Sequence, residues 1–559
     1  MKKNYLAILM VLLSCSLGAC NSSQNSEIIN DSSSDMKESN CEVYATEYAN
    51  IKECNDLNAY QSDVSTNLPV ENGVIISPYY NLKINEKDIP VYATRTANTI
   101  HSFAYLDVDV KDDNNEFNLN VEVSTKKASS VLNKKNAKVV VLPQKRNVKA
   151  SINDKKITAN ISEFGSYSFA FNTKQDEALT IIVAKKENKK EIFSDKEVIY
   201  INPDDYSSNE RRNETLFEEA NKVYYFKEGR YQIDKITVPE NSVLYLEQGA
   251  YLEIIPTTSQ AAIQSIGENN IVVAGRGLID YSACCGGEVP APYYNNKGGL
   301  IFTNVTNIDF SGITVINSQT WTLCLNDCKE IKVHDCLFFG YRVYSDGIML
   351  SDCKNAIVYQ NFVRTGDDAF ETKSTTATGL TENVYFKNND AWTDKGVAYG
   401  CIYESNHDTS DVHFEDNTVG FALGTWSNHL GCLVIQMGNR KGAKIHDITF
   451  NNIEIYASHN QAIMNIFIGG SGGRGEGYGI VKDIYFKNVT ARRNYGAFLN
   501  LRTYDSENCF IYDVYVDNVR SNDVLLTSEN YKTEGYITDN VVGGYNFKRL
   551  RINTLKEGE

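Results

Sequence analysis

Apolar and polar residues alternate in short runs between about Val70 and Ser194, and turn residues separate the runs. The clearest of these runs are Tyr80–Ile84, Phe117–Val121, Lys138–Leu142 and Tyr167–Phe171. Alternation with a period of two is typical of a strand that buries one face. Several short strands at this spacing predict a β-sandwich of about a hundred residues. We place this small domain at residues 68–200.

A second pattern runs from about Val223 to Asn546. A short unit of the form Asx, aliphatic, any residue, then aromatic or aliphatic recurs at intervals of 23 to 36 residues. Its instances are Asn307–Phe310, Glu330–Val333, Ala356–Tyr359, Asn383–Phe386, Asp411–Phe414, Asp447–Phe450, Asp483–Phe486 and Asp513–Val516. A repeat of this length indicates a solenoid, and short strands without helix-like stretches favour a parallel β-helix. We therefore predict an all-β chain, with the β-helix at residues 201–559.

The N-terminal segment is typical of an export signal. Met1-Lys-Lys3 is basic, Leu6 to Leu13 is apolar but too short to span a bilayer, and Leu17-Gly-Ala-Cys20 follows. The last four residues resemble a bacterial lipoprotein box, which implies a signal peptide at residues 1–19 and a lipid on Cys20. An ordinary signal peptide with an incidental cysteine is the alternative.

Residues 20–67 are rich in Ser, Asn, Asp and Glu, which predicts a disordered tether. The chain is expected to be exported and anchored to the bacterial membrane at Cys20, in the periplasm or at the cell surface.

Net charge and cysteine content limit the classes of partner and metal site expected for this chain. The formal net charge of -16 argues against nucleic acid, because phosphate binding needs clustered Lys and Arg. The thirteen cysteines show no framework spacing, and no Cys/His group has convincing zinc spacing. Cysteines such as Cys324, Cys353 and Cys401 are expected to be small buried residues of the coils. We expect no metal and no cofactor, and we expect a monomer.

Three aspartates are the strongest candidates for catalysis. Asp346 follows Tyr344-Ser345, and Asp367 and Asp368 follow Gly366. Asp346 lies 21 residues before Asp367, close to one coil, so we expect these two at equivalent positions in adjacent coils. Gly366 allows a bend that turns both neighbouring carboxylates into one cleft. Clustered carboxylates repel, so at least one pKa is expected to rise, as a general acid requires.

Further residues near the aspartates are candidates for binding sugar. Aromatic rings such as Trp392 and Tyr399 can form flat platforms for sugar rings, and Lys395 and Arg440 can bind a charged sugar. Glu404 and Gln436 follow at coil spacing and complete the proposed cleft. The competing interpretation of each aromatic residue is core packing, and that of each charged residue is a solvated surface.

The same stretch resembles two glycoside hydrolase families. Asn317-Ser-Gln-Thr-Trp321, Ser345-Asp-Gly347 and Gly366-Asp-Asp368 are similar to motifs of the polygalacturonase-like family 28. Val434-Ile-Gln-Met-Gly438 and the β-rich domain ahead of the helix are similar to the dextranase and isopullulanase group, family 49. The resemblance implies a right-handed parallel β-helix and hydrolysis with inversion. It makes Asp367 the general acid, with Asp346 and Asp368 holding the attacking water.

Departures from the family motifs leave the sugar open. The Gly-His-Gly and Arg-Ile-Lys of polygalacturonases are absent from the sequence, so their uronate substrate does not transfer to this chain. Together with the export signal, the resemblance implies an exported hydrolase of a polysaccharide or oligosaccharide. Inversion predicts carboxyl groups about 6.5 to 9.5 Å apart, which leaves room for a water. The alternatives are a polysaccharide lyase, and a surface solenoid that binds carbohydrate without cleaving it.

Overall fold

A computed structural model gives the fold of this chain between residues 41 and 554. It describes all of these residues except 63–69, 71–72, 98, 112–115, 133–136, 172–173, 207–216, 257–260, 286–297, 376–378, 425–430, 438–440, 461, 470–477, 504–507, 532–536 and 542–546. Within this part the two α-helices, Leu57–Ser62 and Lys189–Phe193, and the two 3₁₀ turns, Gln144–Arg146 and Pro203–Tyr206, are short. None of the described helices has the length and apolar character needed to cross a bilayer.

The N-terminal domain is a β-sandwich, as predicted. Its first sheet contains the strands Cys41–Ala45, Val74–Ile76, Tyr92–Arg95, Ile100–Val110, Val139–Leu142, Gly165–Phe171 and Lys174–Lys185. Its second sheet contains Tyr80–Ile84, Lys87–Ile89, Leu119–Thr125, Ser151–Asn153 and Lys156–Ile161. The alternating burial of Tyr80–Ile84, in which every second side chain is buried, is the period-two pattern seen in the sequence.

The predicted tether is wrong for residues 41–62, the part of it that the structure describes. Cys41–Ala45 is an edge strand that pairs antiparallel with Ile100–Val110, and Tyr48 and Tyr60 are buried. Cys41-Glu-Val-Tyr-Ala45 lacks the strict alternation of apolar and polar residues that marks a half-buried strand, so backbone pairing with the sandwich decides its structure. The β-helix also begins slightly before residue 201, because Glu197–Ile201 is the first strand of its longest sheet.

The second domain is a parallel β-helix whose coils contribute to three sheets. Sheet 1 contains Glu197–Ile201, Lys222–Phe226, Val243–Leu246, Asn269–Gly275, Thr306–Ser311, Lys329–His334, Lys354–Tyr359, Thr381–Lys387, Thr409–Glu415, Lys441–Asn451, Tyr478–Lys487, Cys509–Asp517 and Phe547–Ile552. Sheet 2 contains Gly229–Ile233, Ala250–Ile254, Leu278–Asp280, Thr314–Ile316, Leu337–Phe339, Phe362–Thr365, Asp390–Thr393, Thr418–Ala422, Glu454–Ser458, Thr490–Ala491, Arg520–Ser521 and Val524–Leu525. Sheet 3 contains Ile236–Thr237, Ala261–Ile266, Gly298–Thr303, Leu323–Asn326, Ile348–Ser351, Phe370–Lys373, Tyr399–Ser405, Leu433–Met437, Ala462–Ile468, Ala497–Thr503 and Ile537–Val541.

The repeat unit found in the sequence corresponds to the strands of sheet 1. Its first residue adopts a left-handed backbone in every coil of the pattern except one, for example Asn307 (φ 67°), Asn383 (φ 56°) and Asp483 (φ 53°). Asn and Asp tolerate this conformation better than most residues, which explains their recurrence. In the exceptional coil the left-handed residue is Asn355 (φ 56°), one position before the predicted start.

Stacked aromatic rings fill the interior behind sheet 1. Phe386, Phe414, Phe450 and Phe486 lie in successive coils, with ring centroids 4.9, 4.7 and 5.1 Å apart and nearly parallel planes. All four are fully buried. The spacing matches the distance of about 4.8 Å between neighbouring strands, so in-register pairing alone brings the rings into contact. Cys324, Cys328, Cys336, Cys353, Cys401 and Cys432 are also buried in the coils, as predicted.

The sandwich packs against the outer face of sheet 2. Tyr92, Phe103 and Tyr105 of the sandwich form one buried cluster with sheet 2 residues that include Phe339 and Trp392. Beyond this cluster, the Ala97 N–H of the sandwich donates to Oδ2 of Asp394 at 3.3 Å, on the turn that follows the sheet 2 strand Asp390–Thr393. The sandwich therefore covers one face of the helix and reaches the turns between sheets 2 and 3.

The phenylalanine stack leads to a prediction about stability. Phe414→Ala should lower the free energy of unfolding by about 3–5 kcal/mol, because a fully buried ring leaves a cavity between two stacked neighbours. Phe510→Ala is the matched control, since Phe510 lies on the same sheet and is 36% exposed, and its effect should stay near 0.5 kcal/mol. Denaturant titration of both variants measures the two values. Equal losses would contradict the stacked core.

Candidate active site

The three aspartates lie on turns that connect sheet 2 to sheet 3 in adjacent coils. Asp346 precedes the sheet 3 strand Ile348–Ser351, and Asp367 and Asp368 precede the next strand, Phe370–Lys373. Each side chain is 4–6% exposed. One carboxylate oxygen from each of the three lies within 4.8 Å of those of the other two. The structure therefore brings together the cluster that the sequence predicted.

The register within the cluster differs from the predicted one by one residue. Gly347 N–H donates to Asp368 O at 2.8 Å and Ile348 N–H donates to Ala369 O at 2.9 Å, so Asp346 is level with Asp368 and not with Asp367. Trp321 belongs to the same row one coil earlier, because Thr322 N–H donates to Asp346 O at 2.8 Å. Counting residues between coils missed this offset, because the pairing of Ile348 with Phe370 sets a spacing of 22 residues between equivalent positions, one more than the 21 residues from Asp346 to Asp367.

Backbone N–H groups hold two of the carboxylates. Val397 N–H donates to Asp368 Oδ1 at 2.6 Å, and Tyr344 N–H donates to Asp367 Oδ2 at 3.1 Å. Tyr344 has a left-handed backbone (φ 65°), which is unfavourable for a bulky residue. Such strain is retained where the surrounding structure uses it, and here it directs an N–H group at a carboxylate.

Two glycines allow the turns to pack closely. A Cβ on Gly366 would lie 2.7 Å from the backbone of Tyr341 and Arg342, in the preceding coil. A Cβ on Gly396 would lie 2.4 Å from the carbonyl carbon of Asp367. Both contacts are with backbone that cannot move aside, so only glycine fits. Gly366 therefore serves close packing of adjacent turns, and no bulge is assigned there.

The cluster retains a proton to higher pH than ordinary carboxyls do. Burial, followed by the nearby charge of Glu371, raises the pKa of Asp346 well above its usual range, and Asp368 adds to the shift. Lys373 opposes the shift, and its Nζ lies 3.3 Å from Glu371 Oε1. Repulsion between carboxylates thus raises a pKa, as predicted.

The proposed platforms Trp392 and Tyr399 are wrong. Trp392 is 1% exposed and packs between His101 of the sandwich and Phe421, with ring centroids 5.2 and 4.9 Å away. Tyr399 is fully buried inside the β-helix, where its hydroxyl donates to backbone carbonyls at 2.8 and 3.0 Å. Neither ring can face a sugar. One points into the domain contact and the other into the core, and the strand pattern alone does not reveal that the sandwich covers sheet 2.

Other predicted binding residues have mixed outcomes. Lys395 is half-buried on the turn that supplies Val397, next to the aspartates. Gln436 lies on sheet 3, is 1% exposed, and its Nε2 has no hydrogen-bond partner among the described residues. Glu404 lies in the strand Tyr399–Ser405, but its side chain is outside the description. Arg440 and Cys20 lie outside the described residues.

Three further side chains near the cluster are not among the sugar-binding candidates named from the sequence. Glu371 is fully buried beside Asp346, and Lys373 connects it to Trp321, whose ring centroid is 5.7 Å from Lys373 Nζ. Trp321 is 42% exposed and is the described tryptophan that can meet a sugar ring. Alternation along Phe370-Glu-Thr-Lys373 puts Glu371 and Lys373 on the outer face of the strand, which is the signal that would have found both.

A protein-family model matches the segment of the chain that contains the three aspartates. The sequence model of the family described as Glycosyl hydrolases family 28 matches residues 258–537, half of the chain, and this segment contains all three aspartates. The chain belongs to glycosyl hydrolase family 28. An exopolygalacturonase from Zea mays is 22% identical over 273 residues, which cover 44% of this chain and 58% of the relative. Exopolygalacturonase clone GBGE184 from Arabidopsis thaliana is 24% identical over 199 residues, or 34% of this chain and 43% of the relative.

These alignments span about half the length of the curated relatives. Among solved structures, Dex49A from Penicillium minioluteum superimposes with a TM-score of 0.60 at 12% identity, covering 92% of this chain and all of that chain. At this identity the likeness shows a shared fold, and the coverage extends beyond the segment that the family model matches.

The raised pKa of Asp346 leads to a prediction about stability and pH. Because its folded pKa lies above its unfolded value, stability is lost as pH rises from about 3.9 through the raised folded pKa. Asp346→Asn removes this ionisation, so the Tm of the variant should exceed that of the wild type by an amount that grows with pH. Thermal melts across acidic to mildly alkaline pH measure the difference. Asp523→Asn, at an exposed carboxylate, should follow the wild type, and a pH-independent difference for Asp346→Asn would contradict the assignment.

Proposed function

We propose that this chain is an exported glycoside hydrolase that cleaves glycosidic bonds of a polysaccharide or its oligomers. The observation that supports this most is the cluster of three buried aspartates on adjacent turns, with carboxylate oxygens within 4.8 Å of one another. Hydrolysis of a glycosidic bond needs one protonated carboxyl and one ionised carboxylate. The raised pKa of Asp346 indicates that the cluster holds a protonated carboxyl and an ionised carboxylate at the same pH.

The roles follow the family resemblance. Asp367 protonates the leaving glycosidic oxygen, and Asp346 and Asp368 hold the attacking water. The level positions of Asp346 and Asp368 support this division, because two carboxyl groups side by side can hold one water between them. Coulomb repulsion keeps one proton within the cluster, and its loss from the acid limits activity at high pH.

Residues along the outer face of sheet 3 are proposed to contact the sugar. Trp321 offers an exposed ring level with Asp346, and Lys395 lies on the neighbouring turn. Nε2 of Gln436 lacks a hydrogen-bond partner among the described residues, but the side chain is 1% exposed, so Gln436 is not proposed to touch the sugar directly. Lys373 is engaged by Glu371, so it partly neutralises the acidic site. The aligned relatives are named exopolygalacturonases, which makes polygalacturonate one substrate to test beside neutral glucans.

Replacement of the proposed acid gives the direct test of activity. Asp367→Asn should lower the release of reducing ends by about 10²–10⁴-fold, because the amide cannot donate the proton that the leaving oxygen needs. The substrates are polygalacturonate, rhamnogalacturonan, arabinoxylan, dextran and pullulan, each treated with the wild type and the variant. Asp523→Asn, at the exposed site, should retain full activity. Equal activity of Asp367→Asn and the wild type would remove this acid assignment.

The stereochemical outcome is a separate prediction. We propose inversion from the family resemblance, which expects a water between carboxyl groups about 6.5–9.5 Å apart. In this cluster one oxygen of each carboxyl lies within 4.8 Å of the other two. With this spacing the water binds beside the acid, held jointly by Asp346 and Asp368. Proton NMR during the first minutes of hydrolysis should show the new reducing end with the anomeric configuration opposite to that of the cleaved bond. A product of the same configuration would contradict inversion.

A polysaccharide lyase remains the second candidate, because three carboxylates this close can also hold a divalent cation. The ammonium group of Lys373 near Asp346 weakens that reading, since it already supplies positive charge there. Chelator-sensitive cleavage that gives unsaturated, ultraviolet-absorbing products would establish the lyase and exclude the hydrolase.

Export and anchoring belong to the proposal. They are supported by Leu17-Gly-Ala-Cys20 and the apolar run before it. The mature protein is then held at the membrane through a lipid on Cys20 and acts as a monomer. Radioactive fatty acid that failed to label the protein in cells would remove the anchor.

A further inference from the structure

A buried row of polar side chains connects the β-sandwich to the turns that carry the aspartates. His101 lies on the sandwich strand Ile100–Val110, and Arg364 lies on the sheet 2 strand Phe362–Thr365. Arg364 donates to His101 Nδ1 at 2.9 Å and forms a two-pronged pair with Asp394, with N–O distances of 3.1 and 3.3 Å. The side chains of Arg364 and Asp394 are 0% and 1% exposed.

Chemistry fixes the direction of each bond in this row. An arginine side chain is always a donor, so Nδ1 of His101 is the acceptor and its proton sits on Nε2. Nε2–H then donates to Thr180 Oγ1 at 2.8 Å, inside the sandwich. Burial and the charge of Arg364 lower the pKa of His101, which keeps the ring neutral. The Ala97 N–H of the sandwich adds a bond to Asp394 Oδ2 at 3.3 Å.

The Arg364–Asp394 pair touches both turns of the aspartate cluster. Arg364 is followed by Thr365, whose Oγ1 donates to the backbone oxygen of Asp367 at 2.7 Å. Asp394 N–H donates to Thr365 O at 2.9 Å. Two residues after Asp394, Gly396 packs directly on the Asp367 backbone.

The next residue, Val397, donates its N–H to the Asp368 carboxylate at 2.6 Å. The position of Val397 follows from that of Asp394, because only Lys395 and Gly396 separate them in one tight turn. Removing the support on Asp394 would therefore change the geometry at Asp368.

We propose that the β-sandwich is part of the catalytic apparatus, with His101 as a positioning residue. His101, aided by the Ala97 N–H, holds the Arg364–Asp394 pair, and the pair sets the turns that present Asp367 and Asp368. This inference rests on the proposed hydrolase function. Loss of the His101 acceptor would remove one hydrogen bond from the buried Arg364 guanidinium. The guanidinium would then move to regain a hydrogen bond, and this movement shifts both turns.

The same domain contact contains a matched control. Arg276 forms a buried ion pair with Asp107 of the sandwich at 2.7 Å. Arg276 lies just before the sheet 2 strand Leu278–Asp280, three coils or about 14 Å from the Phe362–Thr365 strand. Asp107→Asn therefore weakens the contact between the domains without touching the aspartate turns.

The experiment compares kcat, KM and Tm of the full chain and its variants on the best substrate of the panel. His101→Phe keeps an aromatic ring but cannot accept from Arg364, and kcat should fall about 10–100-fold with KM nearly unchanged. His101→Asn should recover most of kcat, because its amide oxygen can take the Arg364 bond. Asp107→Asn should lower Tm and leave kcat at the wild-type value.

Wild-type kcat in a folded His101→Phe would overturn the proposal, and so would equal kcat losses in His101→Phe and Asp107→Asn. If His101→Phe does not fold, Thr180→Val carries the test: it removes the acceptor of His101 together with the partner of Ser168 Oγ. The kcat of this variant should fall by a smaller factor than that of His101→Phe, and unchanged kcat overturns the proposal. Failure of the proposed function is distinguishable, because the wild type would then release no reducing ends.

Discussion

In-register stacking of the coils is the constraint on which the site depends. Each coil hydrogen-bonds to the next about 4.8 Å away, so residues at one position form a row along the helix. Trp321, Asp346, Asp368 and Val397 share such a row, at the turns that lead into sheet 3. The backbones of Asp346 and Asp368 cannot separate without breaking this pairing, so their side chains start from neighbouring positions. Repulsion and burial then follow from the fold, and they raise the pKa of Asp346.

Keeping several acidic groups buried requires compensation from their surroundings. Backbone N–H groups of Val397 and Tyr344 bind Asp368 and Asp367, and Lys373 pairs with Glu371. A buried charge without such partners is strongly destabilising. The compensating groups come from three coils, so the site is a property of the stack and not of one motif. Through Arg364, the support extends to the sandwich.

The sequence predicted the parts that local chemistry decides. Asx residues at left-handed positions marked the coils, and Gly366-Asp-Asp368 marked the site. The sequence did not predict the features that depend on pairing between distant segments of the chain. The one-residue offset of Asp346 depends on turn length, the burial of Trp392 depends on the sandwich that covers sheet 2, and the Cys41–Ala45 strand depends on an edge contributed by residues 100–110. The alternation along Phe370–Lys373 placed Glu371 on the outer face of its strand, but no sequence motif marked Glu371 as part of the site.

A crystal structure of the Asp367→Asn variant with a bound oligosaccharide of the best substrate tests the central claim most directly, because the inactive protein traps an uncleaved chain. The account predicts the glycan along the outer face of sheet 3, with a glycosidic oxygen about 2.6–3.2 Å from the residue 367 amide. It also predicts a water bound between Asp346 and Asp368, near the sugar carbon of that bond. A glycan bound elsewhere on the chain, with the aspartates untouched, would contradict the account.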